Sequence, residues 1–181
     1  VSKYWGKIAG GLLVVNTYDK TILLLKRSAF VDNPGVWGLP GGRVEEGESI
    51  LDGVIREAKE ELGRYPVECL RVGPLLHVFR DGDFQYHTFL ACTVFRFLGF
   101  KLNWENSRWA WFDPQKIRKQ TVSHLGEKVT VDQRVKNMLV EISKRPTTRM
   151  CPECQREKPS LSELRGAMLR KLHGERPWMK N

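Results

Sequence analysis

The stretch from residue 49 to 62 constrains the chain most, because it joins a core-seeking helix face to an acidic one. Leu51, Val54, Ile55, Ala58 and Leu62 recur at helical spacing and form one apolar stripe. A helix with that stripe must lie against a core, and Gly63 ends it. Glu57, Glu60 and Glu61 stand at i, i+3 and i+4. That spacing puts three carboxylates on one face, about 5–6 Å apart at Cβ. Anions so close repel one another unless a cation sits among them. Oxygen donors of this type suit Mg²⁺ or Mn²⁺ and not soft metals. Arg56, four residues before Glu60, orients or partly neutralises it. The alternative is a solvated face in which Glu serves only as a good helix former.

Around this helix the pattern is mostly strands. The apolar runs 8–16 and 21–26 read as a hairpin of buried strands, turned by Thr17-Tyr18-Asp19-Lys20. A loop, 27–37, leads to the turn Leu39-Pro40-Gly41-Gly42. Segments 75–80 and 84–97 read as strands joined by Asp81-Gly82-Asp83, and 109–112 as a short strand. Val131, Val135, Met138, Leu139 and Ile142 predict a second amphipathic helix over 127–142. Strands with few helices in this order suggest a mixed sheet with helices packed on it.

Charge divides the chain. The formal net charge of +9 is carried mainly by residues 144–181, where ten Lys/Arg face four Asp/Glu. A boundary is expected near 144–150, with a domain over 1–144 and a basic extension over 145–181. Such a tail raises the local concentration of nucleotides or nucleic acid, or is simply solvated. No run of about 18 apolar residues exists to span a bilayer as a helix. Residues 1–30 lack the pattern of a secretory signal, and four cysteines in 181 residues are too few for a disulfide scaffold. The expectation is a reducing, cytoplasmic setting and no membrane partner.

The spacing Gly42-(five residues)-Glu48-(seven residues)-Arg56-Glu57-Ala58-Lys59-Glu60-Glu61-Leu62-Gly63 resembles the Nudix box at all seven fixed positions. Flanking pattern extends the resemblance over roughly residues 5–143. Ala58 and Arg64 depart from the usual larger aliphatics. The resemblance implies an α/β/α sandwich with a mixed β-sheet, and a divalent-metal-dependent hydrolase acting on a nucleoside diphosphate linked to another group. It implies that Glu57, Glu60 and Glu61, with the backbone carbonyl of Gly41, hold Mg²⁺ or Mn²⁺. Gly42, Glu48 and Gly63 fall at motif positions that shape the loops. The general base is left between Glu57 and Glu105, which precedes Trp111 by six residues; Glu127 is a weaker third.

Residues outside the box bear on substrate. Arg27 closes the second strand, and in similar proteins a basic residue there contacts phosphate. Its guanidinium fork suits that task. Trp37-Gly38-Leu39-Pro40-Gly41-Gly42 resembles the lead-in of the MutT-like branch, which splits nucleoside triphosphates into NMP and pyrophosphate. Trp37 either lines a base pocket or packs in the core. No Pro lies about fifteen residues beyond the box, where resemblance to ADP-ribose hydrolases would want one. In the tail, Cys151 and Cys154 form a CxxC turn, with His173 as a third candidate Zn²⁺ ligand and a fourth from His124 or from another chain. The basic tail with Trp178 raises an alternative, removal of pyrophosphate or a cap from an RNA 5′ end. A non-catalytic regulator on the same fold is a further alternative.

Overall fold

A computed structural model describes residues 8–144 except 69, 95–98 and 121. The elements in chain order are β1 (Ile8–Asn16), β2 (Ile22–Arg27), β3 (Trp37–Gly38), β4 (Gly41–Arg43), α1 (Ile50–Leu62), α2 (Arg64–Glu68), β5 (Arg71–Asp81) and β6 (Phe84–Thr93). They continue with β7 (Asn106–Phe112), α3 (Pro114–Arg118), β8 (Ser123–His124), β9 (Glu127–Lys128) and α4 (Gln133–Ser143).

The unbroken apolar runs of β1 and β2 have a simple cause: both faces of these strands are covered. Leu12, Val14, Leu23 and Leu25 point to one core with Val54, Ala58 and Leu62 of α1. Their neighbours Leu13, Val15, Ile22 and Leu24 point to the other, with Ile117 of α3 and Val135, Met138 and Leu139 of α4. Strands buried on both sides lose the polar alternation that marks a half-exposed sheet. The sheet runs β3-β2-β1-β6-β5, with β4 also paired to β1 and β7 to β2. It is mixed, because β1 lies parallel to β6 while its other pairings are antiparallel. The architecture is the α/β/α sandwich.

Ser49 caps α1: its hydroxyl oxygen accepts the Asp52 N–H at 3.1 Å and donates to the Asp52 carboxylate at 2.6 Å. Replacing Ser49 with Ala should destabilise the fold by about 1 kcal/mol, the usual worth of such a cap. Urea unfolding measures this, and a midpoint equal to wild type would show that the cap adds nothing.

The second amphipathic helix begins later than its apolar spacing predicts. Residues 127–128 belong to the small β8–β9 hairpin, and α4 starts only at Gln133. Val129 and Val131 are buried in the same core as α4, but from extended chain. Trp37 N–H donates to the Thr130 carbonyl and Asp132 N–H to the Trp37 carbonyl, both at 2.8 Å, which seats this segment beside β3. Asp132 then caps α4 by accepting the Arg134 N–H at 2.8 Å. Val131 fits both a period of two and the helical stripe, so spacing alone could not place the boundary. Strand bounds also shift: β5 starts at Arg71, β6 ends at Thr93 and β7 starts at Asn106.

No helix among the described residues is long and apolar enough to cross a membrane. The expected boundary near 144–150 and the basic extension, with Cys151, Cys154, His173 and Trp178, lie outside the described residues.

Candidate active site

Gly10 and Gly42 let α1 approach the sheet closely, and Gly11 and Gly41 let β4 and its turn lie close on β1. Gly10 pairs with Gly42 and Gly11 with Gly41 across β1 and β4. A methyl at Gly10 would sit 2.5 Å from a Val54 methyl of α1, and one at Gly42 would sit 2.5 Å from Glu57 Oε2. With no side chains there, the acidic face of α1 rests directly on the β4 backbone.

Glu61 is the best-held carboxylate. It is only 5% exposed. One oxygen accepts the Gly41 N–H at 2.6 Å, and the other accepts Asn106 Nδ2 at 2.8 Å. Burial pushes its pKa up to about 8, against the lowering effect of those two donors, and the charges of Glu105 and Glu57 add to the rise. Glu57 is also raised, first by burial and further by Glu60 and Glu105, while Arg56 opposes the shift. The crowding of like charge inferred from spacing is therefore present, and Glu105 is part of it.

Arg56 is the cation among these groups. Its Nη1 donates to Glu57 at 2.8 Å and to Glu60 at 3.3 Å. Nη2 donates to Glu48 at 2.9 Å and to the Arg43 carbonyl at 3.0 Å. Glu48 does most to hold the guanidinium above its ordinary range, and Arg56 in turn holds the Glu48 carboxyl below its own. Glu48 also accepts the Glu45 N–H at 2.7 Å, fixing the loop before α1. Gly63 caps the far end with a φ of 87°. Ala58 is fully buried where α1 meets the sheet, and Arg64 is exposed and pairs with Glu68 at 2.7 Å. Replacing Arg56 with Lys keeps one charge but cannot reproduce the fork. We expect a loss of about 10–100-fold in activity or metal affinity, the usual effect of losing a group that orients ligands. A titration of activity against Mg²⁺ measures it; an unchanged activation curve would refute the orienting role.

The remaining candidate residues are spread over the end of β2, β3, the β8–β9 hairpin and the loop before β7. Glu105 precedes β7, and its carbonyl accepts the Ser28 N–H at 2.7 Å, tying that loop to the end of β2. Arg27 Nε donates to the Asp32 carbonyl at 2.6 Å. Arg27 is close enough to help lower the Asp132 carboxyl: burial raises that group, but Arg134 and then Arg27 more than offset it. Arg134 lies over the Tyr86 ring, 4.7 Å from its centre. Trp37 is 3% exposed and packs edge-on against Phe112, so its indole belongs to the core. Glu127 stands on the β9 hairpin. Asn106 did not emerge from the sequence as a site residue, although it adjoins Glu105. It opens β7 just before the exposed Ser107 and Arg108, so no pattern marked it as buried.

Among the described residues no three His, Cys, Asp or Glu side chains are already drawn together as a metal cluster. The donor set nevertheless fits a hard divalent ion. It is all oxygen, and it is crowded with like charge that Arg56 offsets only in part.

Comparison with known proteins agrees with this geometry. Residues 7–132 match the NUDIX domain, so the chain belongs to the Nudix family. It is 41% identical over 70 residues to the uncharacterized Nudix hydrolase YvcI of Bacillus subtilis, covering 39% of this chain and 41% of that protein. It is 45% identical over 67 residues to an ADP-ribose pyrophosphatase of Methanocaldococcus jannaschii, covering 36% of each. The chain thus spans about two fifths or less of the length of these curated relatives. Among solved structures, the Nudix hydrolase RenU of M. smegmatis superposes with a TM-score of 0.62 over 82% of this chain and 91% of that one, at 21% identity. At that identity the likeness shows the fold alone.

Proposed function

We propose that the protein is a divalent-metal-dependent hydrolase of the pyrophosphate linkage in nucleoside diphosphate derivatives. The observation that carries this reading is the buried Glu61, held between the Gly41 N–H and Asn106 at one end of a helix face that also presents Glu57 and Glu60. Glu57, Glu60 and Glu61, with the Gly41 carbonyl, would hold Mg²⁺ or Mn²⁺. Such an ion neutralises charge on the polyphosphate and lowers the pKa of the attacking water. The chain itself supplies orientation. Arg56 fixes Glu57 and Glu60, and Asn106 fixes Glu61. Glu57 or Glu105 takes the water proton as its oxygen adds to phosphorus and the bridging oxygen leaves with the other phosphate. Arg27 steadies the phosphate chain. Phosphoryl transfer asks chiefly for this positioning and charge stabilisation.

The preferred substrate in this reading is a normal or oxidised (deoxy)nucleoside triphosphate, split into NMP and pyrophosphate, in a cytoplasmic setting. The Trp37–Gly42 lead-in supports it, as does Phe79 in place of a Pro about fifteen residues beyond the box. The test is product release from a panel of nucleoside triphosphates, ADP-ribose and 5′-triphosphate RNA, in Mg²⁺, Mn²⁺ and EDTA. Triphosphates should turn over fastest, and EDTA should abolish turnover. Faster cleavage of ADP-ribose or RNA would replace the substrate assignment. No release from any substrate would overturn the enzyme reading.

A further inference from the structure

A second charged site lies where β2, β7 and the β8–β9 hairpin meet. The register of these antiparallel strands sets Lys26 directly opposite Arg108. Like charges directly opposite one another destabilise a sheet. Neither side chain has a carboxylate within ion-pair distance among the described residues, nor does Lys128, the third cation of this region. The Lys26 stem passes over Gly35, where an added methyl would lie 3.8 Å from its Cε.

The β8–β9 hairpin brings Lys128 to the same place. Its His124 ring packs edge-on against Trp37 and Phe112, with centres 5.5 and 5.9 Å apart, which leans the hairpin on the sheet. Together Lys26, Arg108, Lys128 and His124 line one hollow of about 50 Å³ floored by Trp37. That is several times the roughly 10–15 Å³ a single water needs. Among the described residues Glu127 is the one acidic group on its wall, so three Lys/Arg cations stand against one carboxylate.

We infer that this hollow is a second phosphate-binding site, separate from the carboxylate face of α1. Three separate segments converge their cations there, at the expense of a like-charge pair across β2 and β7. Lys ammonium groups and an Arg fork are the donors that phosphate oxygens take best. The phosphate comes either from a free inorganic anion or from the backbone of an oligonucleotide.

The test uses the full chain in EDTA, which keeps divalent metal off the carboxylate face and needs no turnover. Backbone amide signals of Gly35, His124 and Lys128 are followed by NMR during titration with sodium pyrophosphate, against sodium chloride of equal ionic strength. A second arm uses a 5′-phosphorylated oligonucleotide. Saturable shifts at these three residues are expected, with at least tenfold weaker binding in the triple variant Lys26→Gln, Arg108→Gln, Lys128→Gln. Local signals separate the hollow from the rest of a basic chain. At least tenfold tighter binding of the oligonucleotide than of pyrophosphate would identify a nucleic-acid backbone as the source; equal or weaker binding would identify the inorganic anion. Shifts that only follow ionic strength, or a triple variant that binds like wild type, overturn the site. Neither result bears on hydrolysis of a mononucleotide, which the triple variant should retain at its normal kcat.

Discussion

Replacing Glu61 with Gln should lower kcat/KM on the order of 10²–10⁴-fold, the size expected when a group acting at the reacting centre loses its charge. The fold should survive. Gln fills the same volume, but its amide NH₂ must face either the Gly41 N–H or Asn106 Nδ2, both donors. Asn106 can turn its amide over to accept, giving up its 3.2 Å bond to Asn103 Oδ1. That loss is about 1 kcal/mol. Against it, the variant no longer buries an ionisable carboxyl. In EDTA the sign of that gain is set by the raised pKa. A carboxyl whose folded pKa is near 8, well above its ordinary value of 4.5, destabilises the fold fully above pH 8. The penalty fades as pH falls towards 4.5. The stability of wild type relative to Glu61→Gln should therefore rise between pH 8.5 and 5, as read by thermal melts. Added Mg²⁺ should raise the melting temperature of wild type through binding linkage and leave the variant unmoved. Near-normal turnover in Glu61→Gln would falsify the metal assignment.

Much of that site was legible because its logic is local. The i, i+3, i+4 spacing of Glu57, Glu60 and Glu61 and the stripe from Leu51 to Leu62 both live on one helix, where sequence separation is spatial separation. The same holds for Ser49 as its cap. Contacts made through the sheet were harder to see. Asn106 meets Glu61 across 45 positions, and no spacing encodes that pair. Gly10 and Gly11 looked like the start of a strand. Their purpose shows only once β4 and α1 are laid against them. Trp37 was ambiguous because a large aromatic serves a pocket and a core equally well; its packing on Phe112 decides. The start of α4 was misplaced for a related reason, since Val129 and Val131 reach the helix's own core from extended chain.

Substituting Ala at three glycines of one short segment should separate fold from chemistry. At Gly38 an added methyl meets nothing within 4 Å, so stability should change by less than about 0.5 kcal/mol, as at an ordinary surface position. At Gly42 the methyl meets the Glu57 carboxyl, the far end of a side chain that can move. The fold should hold, but Glu57 must leave its place beside Arg56 Nη1, and activity should fall far more than stability. Gly41 has no such escape. Its φ of +142° is a conformation that side-chain-bearing residues rarely adopt. Its methyl would also overlap the Gly10 carbonyl oxygen and lie 2.5 Å from the Gly11 Cα, both backbone atoms of a central strand. Backbone strain of about 1–3 kcal/mol and overpacking of about 1–3 kcal/mol act together here. The sum, about 2–6 kcal/mol, is a large share of the stability of a typical domain, roughly 5–15 kcal/mol. Gly41→Ala should therefore be recovered largely unfolded or with its urea midpoint sharply lowered. If it melts within a degree or two of wild type, β4 does not lie against β1 as described, and the seat of Glu61 on the Gly41 N–H goes with it.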